Sequence, residues 1–170
     1  MKLMKAEGLL SVSLLLALPT GAALAQESTA SCAADHAGVD ARGDHVMGFS
    51  HEKTTHHFRL TKTGGAIEVS ANDPADRESR DAIRGHLAHI ATMFAAGDFD
   101  APMLIHDRVP PGVPTLRKRK ASVHWTYEDT ERGGRVVAST SDARALRALH
   151  DFLRFQIEDH RTGDSGTIAD

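Results

Sequence analysis

The fold class is decided by residues 54–74, "TTHHFRLTKTGGAIEVSANDP", where two alternating segments flank a pair of glycines. Side chains alternate in character over residues 55–60 and again over 66–69, and Gly64-Gly65 stands between the two runs. A period of two is typical of a strand with one buried face, and two glycines between such runs indicate a tight turn. The sequence therefore predicts a β-hairpin that turns at this glycine pair.

The end of the same stretch, Asn72-Asp73-Pro74, is typical of the start of a helix. Asparagine and aspartate accept hydrogen bonds from unpaired amides of the first turn, and proline is favoured at the first helical position. A helix is predicted from about residue 75 to 96, ending at Gly97, because glycine commonly ends helices. Residues 98–116 contain four of the six prolines and are predicted to form a loop.

The same pattern returns in the second half of the chain. Alternation over residues 123–128, the pair Gly133-Gly134 and a return strand predict a second hairpin. Ser141 or Asp142 can then cap a second helix that ends near Asp159. The order β-β-α, connector, β-β-α predicts an internal duplication. An α+β fold follows, with an antiparallel sheet and both helices packed on one face, where their apolar stripes are buried.

The N-terminus has the features of a secretory signal peptide. Lys2 and Lys5 precede an apolar run over residues 9–18, and Ala-Leu-Ala ends at Ala25, just before Gln26. An apolar run of this length is too short to remain as a membrane span. We therefore expect a signal peptide at 1–25, a flexible segment at 26–44 and one α+β domain at 45–170. The mature protein is expected in the periplasm or outside the cell, without a membrane anchor.

Charge and cysteine content exclude several classes of protein. The formal net charge of −3 over 170 residues argues against nucleic-acid binding, which depends on a basic surface. Cys32 is the single cysteine, so a monomer has no internal disulfide even in an oxidising compartment. The stability of the domain must therefore come from its hydrophobic core.

The two predicted helices differ on one flank of their apolar stripes. Residues one position before the core-facing ones lie about 100° around a helix, at the edge of the stripe. In the first helix this flank is His86, His89 and Met93, whereas the second helix has Ala145, Ala148 and Phe152. Positions i, i+3 and i+7 project from one side of a helix, so the first flank predicts a metal site.

Further ligands are expected from the histidines of the first strand, in a chain that has 11 histidines. If Phe58 and Leu60 face the core, His56 faces it too, and His57 replaces it if the register differs by one residue. A second group of possible ligands comprises Met47, His51, Met103 and His106. By contrast, the pairs His150-Asp151 and Asp159-His160 are expected at the surface, near the C-terminal half of the second helix.

Imidazole and thioether ligands together favour copper, since imidazole binds several transition metals and thioether favours Cu(I). The leading hypothesis is an exported copper-binding protein for storage, delivery or tolerance. One alternative is a periplasmic enzyme that depends on haem or on a metal such as zinc. Another is a binding module without a metal. Besides the metal ion, the expected partner is a second copy of the chain or another periplasmic protein.

Several segments between residues 47 and 164 resemble a group of small exported bacterial proteins without an assigned activity. They include "TTHHFRLT" (54–61), "HLAHIATMFAAGDF" (86–99) and "HDFLRFQIEDH" (150–160). Some members carry the label aspartate carbamoyltransferase, but this chain is far shorter than that enzyme. The resemblance implies one compact bacterial family and assigns no site residues.

Overall fold

The computed structural model describes residues 38–169, so the predicted signal peptide, Cys32 and most of segment 26–44 lie outside the described residues. The helices are α1 (residues 38–47), α2 (Arg77–Ala96), α3 (Asp100–His106), α4 (Val113–Lys118) and α5 (Ala143–Asp159). The strands are β1 (Thr54–Thr61), β2 (Gly64–Ala71), β3 (His124–Thr130), β4 (Gly133–Ser139) and β5 (Ile168–Ala169). Short 3₁₀ turns at His51–Lys53 and Lys120–Ser122 precede β1 and β3.

The five strands form one mixed sheet in the order β3-β4-β2-β1-β5. The first four are antiparallel to their neighbours, as predicted, whereas the short edge strand β5 runs parallel to β1. Helix α2 packs on β2, β3 and β4, and α5 packs on β1 and β2. The predicted α+β architecture is thus confirmed.

The predicted position of both hairpin turns is wrong by two residues. The chain turns at residues 62–63 and 131–132, and both glycine pairs belong to the return strands β2 and β4. Their register is symmetric about Ile67 and Val136, because Gly64 pairs with Ser139 and Gly133 with Ser70. Equivalent positions of the two β-β-α units therefore face each other at the centre of the sheet. Common ancestry of the units stays a prediction.

The close approach of β2 and β4 explains why glycine is needed in both strands. A Cβ atom at Gly64 would lie 1.8 Å from the carbonyl oxygen of Ala138, and one at Gly133 would lie 2.1 Å from that of Val69. Any side chain would overlap the neighbouring backbone at both places. The glycines thus serve strand packing, although their sequence pattern is that of a turn.

The two long helices begin and end at caps. Asp76 accepts a hydrogen bond from the amide of Ser79 at 2.9 Å, and α2 ends at Gly97, which has a φ of 79°. The predicted start at residue 75 is slightly early, because Asp73 caps a separate tight turn by accepting from the amide of Ala75. Helix α5 begins after Asp142, which is one of the two residues predicted to cap it.

The proline-rich connector 98–116 contains two short helices, contrary to the predicted loop. Pro102 and Pro114 lie in the first turns of α3 and α4. Proline is tolerated there because the first amides of a helix have no partner within it. Helix α3 buries Ile105 and His106, so the connector contributes to the core.

Residues 38–47 are helical, although flexibility was expected up to residue 44. Val39, Gly43 and Met47 recur every four residues, so they form one stripe on α1. Val39 is buried, and the guanidinium of Arg42 donates to the carbonyl oxygen of Ile105 at 2.7 Å. A stripe of only three residues, one of them a glycine, gives little periodic signal, and we infer that tertiary contacts order this helix.

An aromatic cluster fills the core between the sheet and the helices. The ring centroid of Phe94 lies 4.4 Å from that of Phe99 and 4.9 Å from that of Trp125. Phe152 of α5 closes the cluster from the other side, 5.9 Å from Phe94. Among residues 38–169, no helix combines the length and the apolar composition that crossing a membrane requires.

Candidate functional site

A cleft opens where β1 and β2 meet the long helices, beneath α1. Its inner chamber, of about 60 Å³, is lined mainly by apolar side chains together with three histidines and a glutamine. It adjoins a more polar outer groove of about 280 Å³. Both spaces are bounded by Met47, His56 and His160.

His56 occupies the boundary between the chamber and the groove. Strand alternation places its ring on the same face of β1 as Phe58, as predicted, and the ring stacks on two others. The centroid of Phe49 is 6.1 Å away, and that of His160 is 5.5 Å away with nearly parallel planes. The pKa of His56 is lowered from 6.5 to about 4, mainly by burial of the imidazole and to a lesser extent by the nearby His86.

His86 reaches the same chamber from α2. Its ring meets the ring of Phe49 edge to face, with the centroids 5.7 Å apart. Burial, and then the neighbouring His89, lowers the pKa of His86 from 6.5 to about 4. Both imidazoles are therefore neutral at neutral pH. Within residues 38–169, the ring nitrogens of His56 and His86 have no hydrogen-bond partner.

Met47, a second-group candidate, lies at the end of α1 and lines both the chamber and the groove. It packs against the hydrophobic core as a partly buried side chain. The cleft thus combines two neutral imidazoles and a thioether that come from three different elements.

Three of the five leading candidates do not line the cleft. His57 points to the opposite face of the sheet, where its Nδ1 lies 2.8 Å from a carboxylate oxygen of Asp164. His89 is exposed, because it is displaced about 60° around the helix from His86. Met93 lies on nearly the same side as His86 but about 10 Å further along the axis. Spacing on one helix was therefore an insufficient criterion for a shared site.

The remaining second-group candidates have other surroundings. His51 borders the groove, and its Nδ1 lies 3.0 Å from Asp44, a hydrogen bond that raises the pKa of His51. Met103 packs against the core and does not line the cleft. His106 is buried, with Nδ1 2.5 Å from Asp159 and Nε2 3.0 Å from Gln156.

Two residues of the cleft were missed or misplaced by sequence reasoning. His160 was expected at the surface, yet its ring stacks on His56 and lies 5.0 Å from the ring of His106. The surface position expected for His150, which does not line the cleft, is wrong as well: this residue is buried, and its Nε2 lies 3.0 Å from the carbonyl oxygens of Thr61 and Gly64. Gln156 was not considered, although it lies one turn before His160 on the buried side of α5. The spacing from Phe152 through Gln156 to His160, four residues each, is a helical-face signal that would have identified both.

The five predicted ligands do not converge on one metal site. Among residues 38–169, no group of three or more histidine, cysteine, aspartate or glutamate side chains is arranged to hold a metal ion. Of the predicted ligands, His56, His86 and Met47 line the inner chamber of the cleft.

The fold and the cleft define a small α+β protein with a mainly apolar chamber bordered by histidines. No family model, curated protein or solved structure matches the chain. The chemistry of the cleft is therefore the feature of the molecule that bears on its function.

Proposed function

We propose that this chain is an exported copper-binding protein that holds Cu(I) in the cleft between His56 and His86. Met47 supplies a third, thioether donor. The observation that carries the proposal is the pair of neutral imidazoles without hydrogen-bond partners, which approach one chamber from different elements. Storage, delivery and tolerance of copper all require such a site, and the proposed location is the periplasm or the exterior.

The character of the ligands favours Cu(I) over divalent metals. Imidazole and thioether are neutral, and thioether sulfur favours Cu(I). Among residues 38–169, no aspartate, glutamate, lysine or arginine lines the chamber. A divalent ion would bring two positive charges into apolar surroundings, and burying uncompensated charge is strongly unfavourable. Zinc also prefers four ligands in a tetrahedron.

The volume of the inner chamber argues against haem in this part of the cleft. Pockets for ligands of drug or cofactor size usually enclose about 300–1,000 Å³. The chamber between the two histidines has about 60 Å³, which suits an ion or a very small molecule.

The proposal is tested by anaerobic titration of purified protein with Cu(I) in competition with a coloured Cu(I) chelator. We expect one tightly bound ion, and loss of more than 100-fold in affinity for His86→Leu, because even loss of a ligand's supporting contacts costs about 10–100-fold. His89→Leu is the matched control, three residues away on the exposed side of the same helix, and should bind like the parent. Equal affinities of these two variants would refute the site.

A second measurement separates the sulfur donor from the imidazoles. X-ray absorption of the copper-loaded protein should show nitrogen and sulfur neighbours, and Met47→Leu should remove the sulfur contribution. Met103→Leu serves as the control, because this methionine packs in the core away from the cleft. A sulfur contribution that persists in Met47→Leu would contradict the assignment of Met47.

A further inference from the structure

The chamber has a further polar residue besides the three proposed copper ligands. Gln156 of α5 is 4% exposed and forms part of the chamber wall. Its Oε1 lies 3.0 Å from Nε2 of His106. Its Nε2 has no hydrogen-bond partner within residues 38–169.

Gln156 has an unpaired polar group whichever way its amide is oriented. The reason lies in the hydrogen bonds of the neighbouring His106. Burial alone would raise the pKa of Asp159, but His106 and Arg108 hold it below its usual range, so Asp159 is ionised and accepts from Nδ1 of His106. Nε2 of His106 then either donates to the amide oxygen of Gln156 or, if unprotonated, accepts from the amide turned by 180°. In both cases Gln156 keeps one polar group without a protein partner.

Such a group requires a partner that the described chain does not provide. Most buried polar atoms are paired with protein, with a ligand or with ordered water. Gln156 borders the chamber, so a molecule that enters this space is positioned to pair with it.

The chamber selects a neutral, mainly apolar occupant. Phe58, Ile90 and Phe152 are typical of its walls, and the described part of the chain contributes no aspartate, glutamate, lysine or arginine to them. A charged ligand would lose its hydration without gaining a counter-charge, which is strongly unfavourable. A volume of about 60 Å³ restricts the buried part to a few carbon atoms. A longer ligand would extend past His56 into the groove.

We propose that the inner chamber binds a small neutral organic molecule with a short hydrocarbon body and one carbonyl or hydroxyl oxygen, which hydrogen-bonds to Gln156. A hydroxyl group suits either orientation of the amide, because it both donates and accepts. This binding does not depend on copper.

The composition of the chain allows a direct test on metal-free parent protein. Its side-chain amides belong to Gln26, Asn72 and Gln156 alone, so their ¹⁵N-labelled NH₂ signals are easily assigned. Titration with 1-butanol or 2-butanone should shift the signals of Gln156 in a saturable manner. Asn72 bonds to Thr55 and Glu52 outside the chamber, and its signals should stay unchanged. Butyrate, of similar size but charged, should produce no saturable shift.

The variant Gln156→Met tests whether the ligand is held by the hydrogen bond to Gln156 or only by its fit to the chamber. The substitution keeps a side chain of similar length without the amide. It should weaken the binding of 2-butanone about fivefold, the effect of one neutral hydrogen bond. The binding of cyclopentane should stay unchanged, which would show that the chamber persists.

Absence of any saturable shift in the parent would mean that the chamber holds water only. Equal binding of 2-butanone to parent and variant would overturn the role of Gln156. Neither outcome affects the copper titration.

Discussion

Adjacent residues on β1 illustrate how far surroundings alter the same side chain. His56 faces the apolar cleft and is neutral down to acidic pH, whereas His57 faces the other side of the sheet and pairs with Asp164. Alternation along the strand is the sole cause of this difference. At the residue scale, the face occupied by a histidine therefore decides whether it is available to a ligand.

The low pKa values of His56 and His86 predict a loss of stability in acid. Both are about 4 in the folded protein and 6.5 in the unfolded chain, so the unfolded chain binds more protons between these pH values. The free energy of unfolding therefore has its full value above pH 6.5. It decreases by roughly 3 kcal/mol for each histidine as the pH falls to about 4.

Urea unfolding of metal-free protein at pH 7 and pH 4.5 measures this effect. His86→Leu should lose less stability between the two pH values than the parent, because one titrating group is removed. The exposed His89→Leu should retain the full loss. An identical pH dependence for parent and His86→Leu would show that this imidazole is not desolvated.

At the scale of elements, the glycine pairs have a role that differs from the one their pattern indicates. A Gly-Gly pair between alternating runs is typical of a turn, yet here it allows β2 and β4 to approach each other. The close contact is between residues more than 70 positions apart in the chain, such as Gly64 and Ala138. Local sequence carries no signal of such a contact.

Gly64→Ala and Gly85→Ala test this distinction as a matched pair. The added methyl group at position 64 would lie 1.8 Å from a backbone oxygen, whereas at position 85, in α2, nothing lies within 4 Å. We expect Gly64→Ala to destabilise the protein by more than about 3 kcal/mol, since overpacking costs about 1–3 kcal/mol even where side chains can move. Gly85→Ala should instead stabilise by about 0.5–1 kcal/mol. Thermal or urea unfolding measures both, and a mild effect of Gly64→Ala would contradict the close packing.

At the scale of the whole molecule, the cleft is assembled from distant parts of the chain. Met47 comes from α1, His56 from β1, His86 from α2, and Gln156 and His160 from α5 and its end. The aromatic core keeps these elements in place, and α1 contributes Met47 to the edge of the cleft. Binding at this site therefore requires the complete fold, since no single segment carries it.

The proposed export of the whole protein predicts a defined mature N-terminus. Expression with the complete sequence in a bacterium should yield periplasmic protein that begins at Gln26, because Ala-Leu-Ala at 23–25 suits signal peptidase. N-terminal sequencing or intact mass measures this. Replacing Ala25 by a bulky residue should block processing, and cytoplasmic protein that still begins at Met1 would contradict export.

The sequence by itself determined those helices and strands that are indicated by patterns among neighbouring residues. The alternation around Phe58, the cap at Asp142 and the stop at Gly97 depend on neighbours a few residues away, and these predictions are confirmed within narrow limits. The class α+β follows from the order of such elements. His56 was predicted to face the core because the alternation that identifies a strand also assigns its faces.

Tertiary structure alone decided which of these side chains meet. That His86 and Met47 line the same cleft depends on how α1 and α2 pack against the sheet. The same packing orders residues 38–44 and places His160 beside His56. Packing of this kind depends on contacts between residues far apart in sequence, whereas periodicity and capping report only on near neighbours. The fold class was therefore predictable from the sequence, and the composition of the site was not.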